Sequence, residues 1–252
     1  MKKLLFTVFT ISLTCIYNSY GQQKPPADHS TMVQYETLEG TKGNAYYVPS
    51  DSATGNVLII FHDSWGLINE VKKEAQKWQA ILGNVDVYAI DMYDGKWTTD
   101  RTMAQKYREE MNEKHVGNLT KGLLSKIGQD KRIITLGWGV GGAWAFKAAT
   151  LAGDQAIGCV MYYAPPEKED KDIRPLKCDV IYLWASRDKY IQKFFVEEFG
   201  RKVENAGNKF EMHGFDADPG FANPINPQHT EMVTVEADRY AQEFMKKRFQ
   251  VE

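Results

Sequence analysis

The sequence predicts an α/β protein in which helices cover both faces of a mostly parallel central sheet. The main observation is a series of continuous apolar runs, at residues 57–61, 85–90, 133–136, 156–163 and 180–184. Such runs are typical of strands in a parallel sheet that is buried on both faces. Helix-like segments separate the runs. The composition, 43% hydrophobic and 25% charged residues in 252, is that of a folded globular chain.

The segments before the third run supply an edge hairpin and two helical regions. Residues 34–49 hold turn residues between two short strand-like pieces, which predicts a β-hairpin at one edge of the sheet. Over residues 71–82, apolar side chains recur at helical spacing opposite a lysine-rich face, which predicts an amphipathic helix. Residues 100–127 are charged and helical, and a break is expected near residues 116–118.

The second half of the chain continues the alternation of strands and helices. A glycine-rich turn at residues 137–142 leads into a compact helix over residues 143–149. Residues 209–215 form the last strand-like piece, and apolar residues at helical spacing over residues 237–245 predict a helix that closes the sheet. Because no internal repeat or interior linker interrupts this pattern, we expect one domain over residues 33–252.

The N-terminus has the pattern of an export signal. Two lysines precede an apolar run at residues 4–16, and small residues follow it, which predicts a signal peptide over residues 1–21. A polar leader that contains two prolines is expected at residues 22–32. No later segment has the ~20 apolar residues that a spanning helix needs, so no stable membrane insertion is expected. The expected location is therefore secreted or periplasmic.

Charge and cysteine content exclude several classes of function. The 31 Lys and Arg nearly balance 33 Asp and Glu, for a net charge of -2, so nucleic acid is not an expected partner. Cys159 and Cys178 each lie in or beside an apolar strand-like run, which favours buried free thiols over a disulfide. Acidic residues follow several strands, but no spacing resembles a metal-binding loop, and neither a metal nor a cofactor is expected. The sequence carries no signal for an oligomeric state.

The residues that follow each apolar run are expected to share one edge of the sheet. In open parallel sheets, ligands bind outside the carboxyl ends of the strands. The segments at this edge are residues 62–66, 91–93, 137–142, 164–166, 186–188 and 216–221.

The turn at residues 137–142 has two interpretations. Gly137, Gly139 and Gly142 match the G-x-G-x-x-G pattern of dinucleotide-binding sites. However, such a motif normally follows the first strand of the sheet, whereas this one follows the third apolar run. In addition, the fourth apolar run does not end in an acidic residue that could bind a ribose. The favoured interpretation is a nucleophile elbow, G-x-Nuc-x-G. Gly137 and Gly141 are then the small residues that let strand and helix approach each other closely.

Four motifs resemble the dienelactone hydrolase family of the α/β hydrolases, over about residues 34–249. They occur in the family's order, at residues 57–67, 91–96, 184–188 and 217–224. The resemblance implies an α/β-hydrolase fold, with Asp188 as the acid of the catalytic triad. It also implies that the backbone N–H groups of Ser64 and Val140 form an oxyanion hole.

Two of the three triad positions depart from the family's pattern. The family places Cys or Ser at the centre of the elbow, where this chain has Gly139. The family's histidine is replaced by Pro219, which can neither accept nor donate the catalytic proton. Only Asp188 remains. Glycine suits the centre of an elbow that no longer needs a nucleophile, because glycine adopts a positive φ without strain.

His62 is the best candidate for a substitute base, although a structural role is favoured because the family also carries histidine there. The small-molecule pocket is expected to contain Asp63, Ser64, Trp65, Tyr93, Trp138, Gly139, Val140 and Pro219.

The leading functional hypothesis is an exported, degenerate hydrolase that keeps a pocket for a small ester, lactone or carboxylate. A first alternative is an active ester or lactone hydrolase with relocated groups, such as His62 with Asp63, or with a water-mediated mechanism. Dinucleotide binding and a purely structural role with a partner are the remaining alternatives.

Overall fold

The computed structural model describes residues 29–52 and 55–251. The signal peptide expected at residues 1–21 and most of the expected leader lie outside these residues. The strands are β1 (Thr31–Glu36), β2 (Lys42–Val48), β3 (Asn56–Phe61), β4 (Asp86–Ile90), β5 (Arg132–Trp138), β6 (Ala156–Tyr162), β7 (Val180–Ala185) and β8 (Phe210–Phe215).

Helices follow most of these strands. They are α1 (Asn69–Leu82), α2 (Arg101–Glu109), α3 (Glu113–Ile127), α4 (Val140–Ala152), α5 (Asp170–Ile173), α6 (Lys193–Asn205) and α7 (Glu231–Phe249), with a short 3-10 turn at Gly153–Gln155. Among the described residues, no helix is both long and apolar enough to cross a membrane.

The strands form one sheet in the order β1-β2-β4-β3-β5-β6-β7-β8. β1 and β2 form an antiparallel hairpin, and β2 pairs with β4, also in the antiparallel direction. All other neighbouring strands are parallel. The predicted α/β class and edge hairpin are therefore confirmed.

Both faces of the sheet carry an apolar core. In β3, Val57 and Ile59 belong to the core that packs under α3, α4 and α6. Leu58 and Ile60 belong to the core on the opposite face, under α1 and α7. All four side chains are 0–1% exposed, which explains why the strand is continuously apolar instead of alternating.

Parallel pairing aligns the carboxyl ends of the central strands. Phe61 pairs with Gly137, and Gly137 in turn pairs with Met161. The segments after β3, β5 and β6 therefore begin side by side, as expected from the sequence.

Two boundaries differ from expectation. The helical break predicted near residues 116–118 is wrong, because the chain leaves α2 at Glu110 and restarts at Asn112, whose side chain caps α3 by accepting from the His115 N–H. Gly117 lies inside α3. In addition, β1 begins at Thr31, inside the segment expected to be an unpacked leader.

Candidate functional site

The turn between β5 and α4 has the geometry of a nucleophile elbow. Gly139 has φ 54° and ψ -122°, and its N–H donates to the Tyr162 carbonyl at 2.9 Å. A Cβ at Gly137 would lie 2.2 Å from the Gly141 carbonyl oxygen, and one at Gly141 would lie 2.2 Å from the His62 carbonyl oxygen. Because backbone fills both spaces, this close approach of strand and helix accounts for the glycines and favours the elbow over a dinucleotide loop.

The centre of the elbow is open. A Cβ built on Gly139 meets only one neighbour within 4 Å, the Cβ of Asp63 at 3.8 Å, which is an ordinary contact. A side chain at this position would therefore fit sterically, and the chain supplies none. The elbow presents no atom that can attack a carbonyl.

His62 lies beneath this turn, with both ring nitrogens engaged. The ring is fully buried; Nδ1 donates to the Asp63 carbonyl at 2.7 Å, and Nε2 accepts from the Met92 N–H at 3.0 Å. This pattern requires the neutral ring with its proton on Nδ1. Burial lowers the pKa of His62 from 6.5 to about 4. The contacts therefore describe a structural tie between the ends of β3 and β4, because neither nitrogen is available to take a proton from a ligand.

Asp63 is the titratable group beside the vacant elbow position. Its carboxylate is 8% exposed, and it accepts from the Trp65 N–H at 3.1 Å and from Asn223 Nδ2 at 2.8 Å. Burial raises the pKa of Asp63 from 3.8 to about 6, and the hydrogen bond from Asn223 offsets part of that rise. Asp63 can thus exchange a proton near neutral pH.

Asp188 is held at the start of the loop that follows β7. Its Oδ1 accepts from the Tyr190 N–H at 2.7 Å and from the Ile191 N–H at 3.0 Å. Asp188 lines a cavity of about 200 Å³ together with Pro219 and Trp65. The structure therefore brings together the acid and histidine positions that the sequence motifs identify.

The expected pocket residues are divided among three cavities. Trp65 and Pro219 line the cavity at Asp188, whereas Asp63 and Trp138 line a recess of about 20 Å³. Val140 lines a third cavity of about 250 Å³, between α4 and the loop after β6. None of these three cavities holds all of the expected residues.

The remaining expected residues take other positions. Tyr93 lines none of these three cavities, because it is buried and packs edge-on against His62 with ring centroids 4.8 Å apart. Val140 is the first residue of α4, so its N–H has no acceptor within the helix. The N–H of Ser64 donates to no other described residue. Both candidate oxyanion donors are therefore available.

Sequence reasoning missed several residues of these walls. Asn223 was visible only as part of a motif, and its hydrogen bond to Asp63 joins positions 160 residues apart. Arg101, Tyr190 and Gln228 line the cavity at Asp188 without a local sequence signal. Within the described ranges, no group of three or more His, Cys, Asp or Glu residues could hold a metal ion.

Comparisons with known proteins agree with this geometry. The sequence model of the dienelactone hydrolase family matches residues 44–249. Protein usf from Aquifex pyrophilus is 22% identical over 187 residues, which are 70% of this chain and 79% of that protein.

Solved structures show the same fold at low identity. A dienelactone hydrolase-like promiscuous phosphotriesterase from metagenomic libraries superposes with a TM-score of 0.71 at 14% identity, over 87% of this chain and 98% of that one. An esterase from Pyrococcus furiosus superposes with a TM-score of 0.64 at 15% identity, over 88% and 91% of the two chains. These neighbours establish an α/β-hydrolase fold.

Proposed function

The chain belongs to the dienelactone hydrolase family, and we propose that it is an exported, degenerate member that binds a small ester, lactone or carboxylate without acyl-enzyme turnover. One observation carries the proposal: Gly139 occupies the centre of a complete elbow whose turn, flanking glycines and oxyanion donors are all in place. The machinery that orients a carbonyl group is retained, whereas the attacking atom is absent.

Loss of the base supports the same conclusion. Pro219 stands at the histidine position and lines the same cavity as Asp188, so the acid has no imidazole to orient. His62 does not replace it, because the backbone occupies both of its nitrogens. Removal of either the nucleophile or the base alone lowers the rate by several orders of magnitude in such triads.

The test is to restore the missing groups. We expect the wild-type protein, Gly139→Cys and Pro219→His to hydrolyse p-nitrophenyl acetate no faster than the buffer does. The double variant Gly139→Cys/Pro219→His should form a covalent acetyl adduct, detectable by mass spectrometry, because Asp188 can then orient the new histidine. Acetyl-enzyme formation or rapid turnover by the wild-type protein would refute the proposal.

A second candidate function is hydrolysis by a water molecule that Asp63 activates. It is favoured by Asp63, whose Cβ lies 3.8 Å from a Cβ built on Gly139 and whose carboxyl group has a pKa raised by burial to about 6. In that case the wild-type rate should rise with pH through about 6, as the carboxylate forms. Asp63→Asn should abolish the activity. His62→Ala tests whether the histidine contributes as the base.

Export is also part of the proposal. It rests on the charged start and apolar run of residues 1–21. N-terminal sequencing of protein recovered from the culture medium or periplasm should show a chain that starts near Gln22. Recovery of the uncleaved chain from the cytoplasm would contradict it.

A further inference from the structure

The cavity at Asp188 is built from four separate segments. Trp65 comes from the turn after β3, Arg101 from the start of α2, Asp188 and Tyr190 from the loop after β7, and Gln228 from the loop before α7. Its volume of about 200 Å³ is below the ~300–1,000 Å³ of sites for larger ligands, so its occupant is a small molecule.

Asp188 has unused acceptor capacity in this cavity. It is 9% exposed, and both of its backbone hydrogen bonds go to Oδ1. Within residues 29–52 and 55–251, no donor contacts Oδ2. Pro219, which shares the cavity wall, has no N–H to offer. Unlike the Tyr163 hydroxyl, Oδ2 of Asp188 is open to solvent in the cavity, so a ligand there can replace water as its donor.

The other charges of the wall are either neutralised or exposed. Arg187 forms a bidentate pair with Asp216, with both N–O distances at 2.8 Å. Arg101 and Lys189 are exposed and pair with no described residue, so solvent screens their charges. Asp188 and Asp218 supply the negative charges of the wall, and Asp188 is the more deeply buried of the two, at 9% exposed.

The shape and aromatic content of the wall also suit a cation. Trp65, which is 6% exposed, and Tyr190, which is 89% exposed, both line the cavity. Aromatic rings attract cations through their negative faces. Pro219 and Pro227 add flat apolar surface.

We propose that this cavity binds a small ligand through a protonated nitrogen that donates an N–H hydrogen bond to Oδ2 of Asp188. The ligand class comprises compact ammonium or imidazolium compounds. The proposal goes beyond the proposed function, because it concerns the cavity at Asp188 and requires neither the elbow nor an acyl group.

Imidazole is a suitable probe because it is small and changes charge near neutral pH. Binding to the full mature chain is measured by calorimetry or by NMR shifts of the Trp65 indole at low ionic strength. We expect Asp188→Asn, which keeps an oxygen for the Tyr190 and Ile191 N–H groups, to weaken imidazolium binding at least tenfold. Asp154→Asn is the matched control and should bind as the wild type does, since Asp154 is exposed and is not part of the cavity wall.

Two measurements on the wild-type protein provide independent evidence. Imidazole should bind more tightly at pH 6 than at pH 8.5, because only the cation carries the charge that Asp188 favours. Tetramethylammonium, which lacks an N–H, should bind more weakly than imidazolium. Equal binding by Asp188→Asn, or binding that does not weaken as the pH rises, would overturn the proposal.

The experiments keep the two proposals separate. Ester hydrolysis by the wild-type protein would refute the degenerate elbow and leave cation binding untouched. Failure to bind imidazolium would refute the cation site, without any bearing on the missing nucleophile at Gly139.

Discussion

At the scale of single residues, Gly139 determines the backbone geometry at the centre of the elbow. Its φ of 54° lies in the region that glycine adopts without strain. The space around a built Cβ is open apart from the contact with Asp63 at 3.8 Å. A substitution here therefore encounters backbone strain and no steric clash.

We predict that Gly139→Cys lowers the free energy of unfolding by about 1 kcal/mol, the cost of a non-glycine residue at positive φ. It should not restore ester hydrolysis, because no base contacts the new thiol. Chemical denaturation and p-nitrophenyl acetate hydrolysis measure the two effects. Gly141→Ala is the contrasting variant: its Cβ would lie 2.2 Å from the His62 carbonyl oxygen, so a much larger loss is expected.

His62 and Asp63 are neighbours whose pKa values shift in opposite directions. Asp63 keeps its proton up to about pH 6 in the folded chain and loses it near 3.8 when unfolded, so its contribution to stability falls as the pH rises between these values. His62 stays neutral down to about pH 4 when folded and gains its proton near 6.5 when unfolded, so its contribution rises with pH over that window.

The pKa shift of each residue changes the free energy of unfolding by about 3 kcal/mol over its pH window, since one pKa unit corresponds to about 1.4 kcal/mol. As the pH rises from 4 to 6, the free energy of unfolding of Asp63→Asn should therefore increase by about 3 kcal/mol relative to that of the wild type. As the pH rises from 4 to 6.5, the free energy of unfolding of His62→Gln should decrease by a similar amount relative to that of the wild type. Urea denaturation across this range measures both differences. A difference that does not change with pH would contradict the protonation states assigned to that residue.

At the scale of elements, the boundary between α2 and α3 shows how a local cap can override a glycine signal. The sequence predicted a break near residues 116–118, a segment that contains Gly117, and glycine disfavours helix interiors. The structure instead places the break before Asn112, whose side chain accepts from the His115 N–H at 3.1 Å. A cap that satisfies a free N–H outweighs the modest cost of one interior glycine.

Two substitutions test this boundary. Asn112→Ala should lower the free energy of unfolding by about 1 kcal/mol, through loss of the cap. Gly117→Ala should raise it by about 0.5–1 kcal/mol. The added methyl group has no neighbour within 4 Å outside its own helix. Thermal denaturation of the two single variants provides the measurement. Destabilisation by Gly117→Ala would show that a break at this position matters after all.

The loop between β8 and α7 is the element that completes the site. Asn223 lies in this loop and donates to Asp63 at the end of β3, while its own Oδ1 accepts from the Ile225 N–H. The same loop supplies Pro219 to the cavity at Asp188. One loop therefore contacts Asp63 and also lines the cavity at Asp188, although the sequence only identified it as a family motif.

At the scale of the whole molecule, the apolar core on one face of the sheet, under α3, α4 and α6, determines how the cysteines behave. Cys159 and Cys178 are both free and buried. Burial raises the pKa of Cys159 to about 12 and also raises that of Cys178. Because the thiolate is the reactive form, neither residue is expected to react in the folded state.

We predict that the native protein is not alkylated by iodoacetamide at pH 8. The unfolded mature chain should take up two alkyl groups, and a reducing agent should leave the thermal stability unchanged. Mass spectrometry before and after denaturation counts the modified thiols. If the unfolded chain took up none without reductant, the two cysteines would be joined by a disulfide.

The sequence by itself determined the parallel sheet, its edge hairpin and the glycine-rich elbow. These properties follow from local patterns: apolar runs, turn residues and the identity of single side chains. Only the tertiary structure decided that His62 is tied to backbone, that Asn223 meets Asp63, and that the expected pocket is divided among three cavities. The physical reason is that contacts between loops, and the pKa shifts that burial causes, depend on how distant segments pack together, which no local periodicity encodes.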